Sequence, residues 1–501
     1  MLLKKIIQQR PLPESIELPT HLHPVIRRVL AARNITDLEA LDYKLQNLLP
    51  YHNLIGIDDA VKLLTQALTQ QARMVIVADF DADGATSCAL AVKALRQMGA
   101  QHVDYLVPNR EKHGYGLTPT IVTLALAYRP QLLITVDNGI SSIQGVAAAK
   151  HSGMQVLITD HHLSPAQLPA ADAIVNPNQK GDTFPSKHLA GVGVIFYVMM
   201  ALRAHLRESG WFQNQPIPNL AQFLDLVALG TVADVVKLDY NNRILVDQGL
   251  QRIRADYCCA GIRALIQVSQ RAQQHLAATD LAFSLGPRLN AAGRMDDMSY
   301  GIACLLSEDD ASALRYAQQL EHFNQERRFV ETDMQQEALT ILASLGTPSQ
   351  LPRGLCLFEA HWHQGVIGIL AARIKDRLHR PVIVFTQGNG DELKGSARSV
   401  VGVHIRDVLD NIATQYPQLL TKFGGHAMAA GLSLPRHHFK QFRDAFDHEV
   451  RQYLPSEQMQ GVILTDGLLT AADLNLALAE QLKAIGPFGQ GFPEPIFAQN
   501  F

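Results

Sequence analysis

The strongest constraint on how this chain can fold is a set of four short apolar segments rich in Val, Ile and Leu. They are Met74–Ala78, Val103–Val107, Leu132–Val136 and Val156–Thr159, separated by stretches of helix length, with Ala173–Val175 a weaker fifth. Continuously apolar runs of this length alternating with helices are strands covered on both faces, so the pattern predicts an α/β domain with a parallel, doubly wound sheet. In such sheets, functional groups collect at the carboxyl ends of the strands.

Acidic residues and histidines stand at those ends. Met74–Ala78 runs into Asp79-Phe80-Asp81-Ala82-Asp83, three carboxylates within five residues. Leu132–Val136 runs into Asp137-Asn138-Gly139, and Val156–Thr159 into Asp160-His161-His162. Further on, the apolar run LVALGTVADVV carries Asp234. Like charges crowded at one strand end destabilise a fold unless a cation compensates them. Carboxylates mixed with imidazole suit Mn²⁺ or Mg²⁺, and also accept Zn²⁺ or Co²⁺. The donors outnumber the needs of one ion. Two divalent ions bridged by a shared carboxylate fit better, and that is the arrangement used to hydrolyse phosphate esters. A lone D-x-D after a strand is more often a helix N-cap beside a solvated acid. Acidic or histidine-bearing ends on three strands are hard to obtain from capping alone.

The rest of the chain organises around this domain. Residues 1–70, punctuated by Pro11, Pro13, Pro19, Pro24 and Pro50, read as a helical lead-in to a catalytic domain over 71–299. Ser307–Ser344 carries neither Pro nor Gly and runs at helical period. A connector helix is expected over 300–345, with Ser307 and Asp310 as its capping box. A second, smaller α/β domain over 346–455 follows: GLCLF from Gly354, a helix near Gly365–Leu378, PVIVF, then a Gly-rich FGGH turn. The last segment, 456–501, offers a strand at GVILT (461–465), a helix, and GPFGQGFPEP.

Composition narrows the function classes. Lys plus Arg number 44 and Asp plus Glu 47 among 501 residues, a formal net charge of −3. A protein that coats duplex DNA through bulk charge is strongly basic, so contact with nucleic acid here must come from a local groove. The longest apolar run, Gly191–Leu202, is too short to span a bilayer, and no membrane association is expected. The opening MLLKKIIQQRPLP lacks the apolar core of a signal peptide. Five cysteines with no C-x-x-C, including the pair Cys258 and Cys259, form neither a zinc motif nor a disulfide framework. They are expected as core residues in a reducing cytoplasm.

At the DxDxD, VDNG, DHH and GTVADVV motifs the sequence resembles the DHH phosphoesterase superfamily. At WHQGVIGILAARI (362–374), KGSARS (394–399) and FGGHAMAAG (423–431) it resembles the DHHA1 domain that accompanies it. Within the superfamily the likeness is to single-stranded-DNA-specific 5′→3′ exonucleases, and it extends from LHPVIRRVLAARNI to GPFGQGFPEP. The resemblance implies Asp79, Asp81, Asp83, Asp137, His161 and Asp234 as ligands of two Mn²⁺ or Mg²⁺ ions, with Asp137 bridging. It implies His162 as a catalytic group poised over the phosphate, alongside Asp137 and His161. Ser396 and Arg398, in a G-S-x-R-S turn facing the catalytic cleft, would grip the terminal 5′ phosphate with Arg110 of PNREKHGYGL, and His426 a neighbouring one. Arg288, Asn290 and Arg294, in a loop FSLGPRLNAAGRMDD (283–297), would meet the DNA backbone; alternatively Arg294 pairs with Asp296 or Asp297. Asn324-Gln325-Glu326-Arg327-Arg328 either lines the DNA path or is an exposed charged helix face.

The implied activity is two-metal-ion hydrolysis of single-stranded DNA from its 5′ end to 5′ mononucleotides, in repair and recombination. A helicase and a single-strand-binding protein are the implied partners. The alternatives are a DHH enzyme acting on short oligonucleotides or cyclic dinucleotides, and a non-catalytic relative. These exonucleases finish with an oligonucleotide-binding (OB) barrel, and GPFGQGFPEP lies near its beginning. A segment 456–501 holding only part of that barrel is expected to pack poorly, with Phe488, Phe492 and Phe497 exposed.

Overall fold

The structure, a computed structural model, describes residues 5–110, 112–345, 351–455 and 460–499. The domain boundaries expected at 346 and 456 lie outside the described residues. Among those described, the chain forms two compact units: residues 11–324 with 469–495, and residues 325–468 with 5–10 and 496–499.

A five-stranded, all-parallel sheet is the heart of the first unit. Counting from β1 (Ile6–Gln9) in the other unit, its strands are β2 (Met74–Ala78), β3 (Val103–Leu106), β4 (Leu132–Val136), β5 (Gln155–Thr159) and β6 (Ala173–Val175). Their order is β3-β2-β4-β5-β6. Every residue of β2 and β4 is buried, which is why these strands read as unbroken apolar runs. The chain leaves β2 for β3 on one side and returns to β4 on the other, so the topological switch point lies between β2 and β4. The helices Ala82–Gln97, Gly191–Glu208 and Leu224–Ala233 pack together beside this sheet.

Register then sets the site. Ala78 pairs with Val136 and Val136 with Thr159. The next residues, Asp79, Asp137 and Asp160, therefore stand in a row across three adjacent strand ends. Asn138, fully buried, ties two of those ends together by donating to Val77 O at 3.0 Å and Val136 O at 2.9 Å.

The second unit holds a mixed sheet of β7 (Leu355–Phe358), β8 (Val382–Gln387), β9 (Glu392–Arg398), β10 (Lys422–Gly425) and β11 (Ala429–Pro435), in the order β10-β11-β9-β8-β7. Only β7 and β8 are parallel. Phe385, Phe442 and Phe446 form the aromatic centre of its core. A separate parallel pair joins β1 to β12 (Val462–Thr465).

Several expectations change. The first 70 residues are not purely helical: among those described, Ile6–Gln9 is a strand, and only Pro24–Ala31 and Ile57–Thr69 are α-helices. The connector is two helices, Ser299–Leu306 and Asp310–Ser344. Ser307 is not the cap: its hydroxyl donates to Ala303 O at 2.8 Å, while the Asp309 carboxylate accepts from Ser312 N at 2.8 Å. Polar side chains that bond nearby backbone break helices in this way. FSLGPRLNAAGR is helical rather than a loop, with a π turn over Leu281–Leu285 and an α-helix over Gly286–Met295. Within Asn324–Arg328, Asn324 and Arg327 are buried and the other three exposed. Lys394–Arg398 of KGSARS belong to strand β9, not a turn, and Ser399 follows it. In the final segment the three phenylalanines are not left exposed: Phe492 is 1% exposed and stacks on a half-buried Phe488, with Phe497 half-buried too, whereas Leu468, Leu474, Leu476 and Ile496 do stand exposed. Four of the five cysteines are buried, and all are free thiols. No described helix is long and apolar enough to cross a membrane.

Candidate metal centre

All the strand-end acids and His161 converge in the first unit. Asp79, Asp81 and Asp137 offer ligand atoms within 4.8 Å of one another, and so do Asp83, His161 and Asp234. Asp137, His161 and His162 form a third such set, which links the other two. His161 Nε2 lies 3.1 Å from Asp137 Oδ1 and 3.5 Å from Asp234 Oδ2.

Each carboxylate is aimed by its element. Asp81 is the N-cap of helix Ala82–Gln97 and accepts from Gly84 N at 3.0 Å, so capping and ligation are compatible in one residue. Asp83, in the first turn of that helix, accepts from Gly191 N at 2.6 Å and Val192 N at 2.9 Å. Those amides open helix Gly191–Glu208, whose dipole favours the negative charge. Asp137 turns off β4 in the left-handed region at φ 62°. Its Oδ1 is buried and accepts no hydrogen bond from the described residues. Asp234 is the C-cap of helix Leu224–Ala233.

Burial and mutual repulsion dominate the electrostatics. Burial, then the charge of Asp81, pushes Asp79 well above the usual carboxylate range. Burial and the neighbouring aspartates do the same to Asp137 and Asp234, and bring Asp83 up to about 7. A cluster of buried carboxylates this reluctant to ionise, gathered round one imidazole, fits a site completed by cations.

Beside it, His162 has the opposite surroundings. Burial lowers its pKa, but the hydrogen bond and charge of Asp160, then Asp79 and Asp234, more than offset this and raise it to about 9. Asp160 Oδ1 lies 2.7 Å from His162 Nδ1, and Asp160 also accepts from the backbone amides of Ile140, His161 and His162. Burial would raise Asp160, yet its bond to His162 holds it below the ordinary range.

Three further groups here act through contacts that their motifs do not specify. Tyr115, half exposed, sets its ring edge-on against both Phe80 and His162, and its Oη lies 3.3 Å from His162 Nε2. Asp160 and Asn138 act by orienting others. Asp160 is legible as part of a DHH motif, whereas the use of Tyr115 and Asn138 depends on contacts made only after folding.

The expected phosphate ligands fall into different settings. Arg110 lies 4.1 Å over the Phe80 ring, close enough to feel Asp79 and Asp81. Asn290 accepts from Ala82 N at 2.9 Å and so braces the first helix turn. Arg288 is 7% exposed, bonded to Ser284 O at 2.6 Å and paired with Glu321 at 2.5 Å, the surroundings of a structural residue. Arg294 is half-buried. In the second unit, Ser396 and Arg398 project from the same face of β9, with Arg398 Nη1 donating to Ser396 Oγ at 3.2 Å. A Cβ on Gly368, at the start of helix Ile367–Leu378, would stand 2.9 Å from both side chains and displace them. His426 is exposed in the turn from β10 to β11, where the next strand begins by pairing Ala429 with Arg398.

Comparison with known proteins agrees with this layout. Residues 73–231 match the DHH family, N-terminal domain, residues 352–452 the DHHA1 domain, and residues 465–501 the RecJ OB domain. The chain is 52% identical over 498 residues to the single-stranded-DNA-specific exonuclease RecJ of Salmonella typhimurium, covering 99% of this chain and 86% of that one. The crystal structure of RecJ in complex with Mn²⁺ from Thermus thermophilus matches at a TM-score of 0.81 with 29% identity, covering 95% of this chain and 66% of that one. The Mg²⁺ complex from the same organism matches at 0.74 with 28% identity, covering 95% and 64%.

Proposed function

This chain belongs to the RecJ family of DHH-domain exonucleases, and from that premise we propose that it is a single-stranded-DNA-specific 5′→3′ exonuclease releasing 5′ mononucleotides in DNA repair and recombination. The observation that carries the reading is the convergence of five aspartates and His161 on one strand-end cluster beside a cationic His162.

Asp79, Asp81 and Asp137 would hold one divalent ion and Asp83, His161 and Asp234 a second, with Asp137 between them. When bound, two Mn²⁺ or Mg²⁺ ions neutralise the carboxylates, activate water and stabilise charge on the attacking and leaving oxygens. Asp160 occupies His162 Nδ1, so Nε2, which lies 3.3 Å from Tyr115 Oη, is the atom that would donate to a phosphoryl oxygen or protonate the leaving oxygen. Tyr115 packs against that imidazole and limits its rotation.

Arg110 is the phosphate ligand of the catalytic unit. Ser396 and Arg398 form a hydroxyl–guanidinium cradle suited to a terminal phosphate, with His426 near it. Single strands enter by sequence-independent backbone contacts. A helicase that opens duplex and a single-strand-binding protein that keeps it open are the partners this chemistry calls for. The cytoplasm is the compartment.

The test is a time course on a single-stranded oligonucleotide labelled at either end, with Mn²⁺ and a dinucleotide control. Immediate mononucleotide release from the 5′ end of the long strand is expected. Cleavage of the dinucleotide alone would move the chain to the short-substrate DHH enzymes, and cleavage of neither would contradict catalysis.

A further inference from the structure

Asp234 occupies an awkward place in the backbone. It closes helix Leu224–Ala233, and the next residue, Val235, adopts φ 62° and is 62% exposed. A β-branched residue in the left-handed region is strained, and such strain persists only where the surroundings hold it. Packing of the Val235 side chain does not supply the restraint.

The helix end holds Val235 from upstream, its N donating to Val232 O at 3.3 Å, and further restraint comes from downstream. Leu238 N donates to Gln490 O at 2.7 Å, and Leu238 O accepts from Arg243 Nη1 at 3.1 Å. Both backbone groups of Leu238 are thereby fixed. Gln490 lies in a tight turn closed by Gly489 N to Phe492 O at 2.8 Å and Phe492 N to Gly489 O at 3.1 Å. Gly491, at φ 75°, packs so closely on Lys237 that a Cβ would stand 2.5 Å from its Cγ. Phe492 lies under the Arg243 guanidinium at 4.5 Å, and Arg33 Nε holds the following stretch by donating to Pro493 O at 2.8 Å.

We propose that the Gly489–Phe492 turn is a clasp that positions Asp234 for metal binding. By fixing the chain at Leu238 it holds Val235 in its left-handed conformation, which in turn sets the direction of the Asp234 carboxylate. Phe492 is a positioning residue, acting through Leu238 and Val235. The inference rests on reading Asp234 as a metal ligand.

The experiment measures Mn²⁺ affinity by calorimetry, with kcat and KM on a single strand, for Phe492→Ala, Gly491→Ala and Asp234→Ala in the full chain. Phe492→Ala is expected to weaken Mn²⁺ binding roughly tenfold, as loss of a supporting shell does, and to lower kcat with KM unchanged. Adding Val235→Gly, which removes the drive to relax, is expected to restore most of the Mn²⁺ affinity. A variant that loses thermal stability but binds Mn²⁺ like the parent overturns the clasp, and so does failure of Val235→Gly to rescue. Gly491→Ala carries the same readout should Phe492→Ala not fold. If Asp234→Ala binds Mn²⁺ normally, the ligand assignment itself fails; if it loses Mn²⁺ while both clasp variants keep it, only the clasp fails.

Discussion

At the scale of single residues, the centre separates groups that would hold cations from groups that hold those groups. Asp160 is the clearest of the latter: buried, fully bonded and 2.7 Å from His162 Nδ1. Asp160→Asn keeps the shape but removes the charge that keeps His162 protonated. It is expected to lower kcat by about 10–100-fold with Mn²⁺ affinity little changed, which single-turnover kinetics beside a metal titration will show. Arg288 behaves differently. Its buried pairing with Glu321 makes Arg288→Ala a stability variant, expected to lose about 3 kcal/mol in urea denaturation while binding single strands normally. A stable variant with impaired DNA binding would instead return Arg288 to the phosphate ligands. No sequence pattern distinguishes these roles, because Arg288 and Glu321 meet only through tertiary packing.

At the scale of elements, the ligand set is legible in the sequence because each ligand follows directly on, or opens, a strand or helix whose apolar pattern is local. The parallel register then aligns Asp79, Asp137 and Asp160 with no further information. What stays hidden depends on distant partners: Phe492 under Arg243, Tyr115 on His162, and the pairing of β1 with β12. The family resemblance implies a turn at KGSARS, yet in β9 Leu393, Gly395 and Ala397 face the core and Ser396 and Arg398 face away. That alternation makes a specific demand. Arg398→Ala is expected to abolish the preference for a 5′-phosphorylated over a 5′-hydroxyl strand while leaving Mn²⁺ binding intact. Loss of metal in that variant would contradict the phosphate reading.

At the scale of the whole molecule, the cluster ties stability to pH and to metal. Asp79, Asp83, Asp137 and Asp234 all have folded-state pKa values raised above the ordinary carboxylate value, Asp83 to about 7. The metal-free folded state therefore binds more protons than the unfolded chain, so the cluster's contribution to stability falls as pH rises from the ordinary carboxylate range through about 7. Metal replaces those protons. Mn²⁺ is expected to raise Tm, and to do so more in mildly alkaline than in mildly acidic buffer, in a thermal melt with and without chelator. An equal shift in both buffers would contradict the linkage.

The most direct measurement is the number of Mn²⁺ ions bound per chain at equilibrium, read by calorimetric titration and metal analysis for the parent and for Asp137→Ala. Two ions in the parent are expected, with binding and hydrolysis lost together when the shared carboxylate is removed. A parent that binds one ion or none, or an Asp137→Ala variant that still hydrolyses single strands, would contradict a two-metal centre at these strand ends.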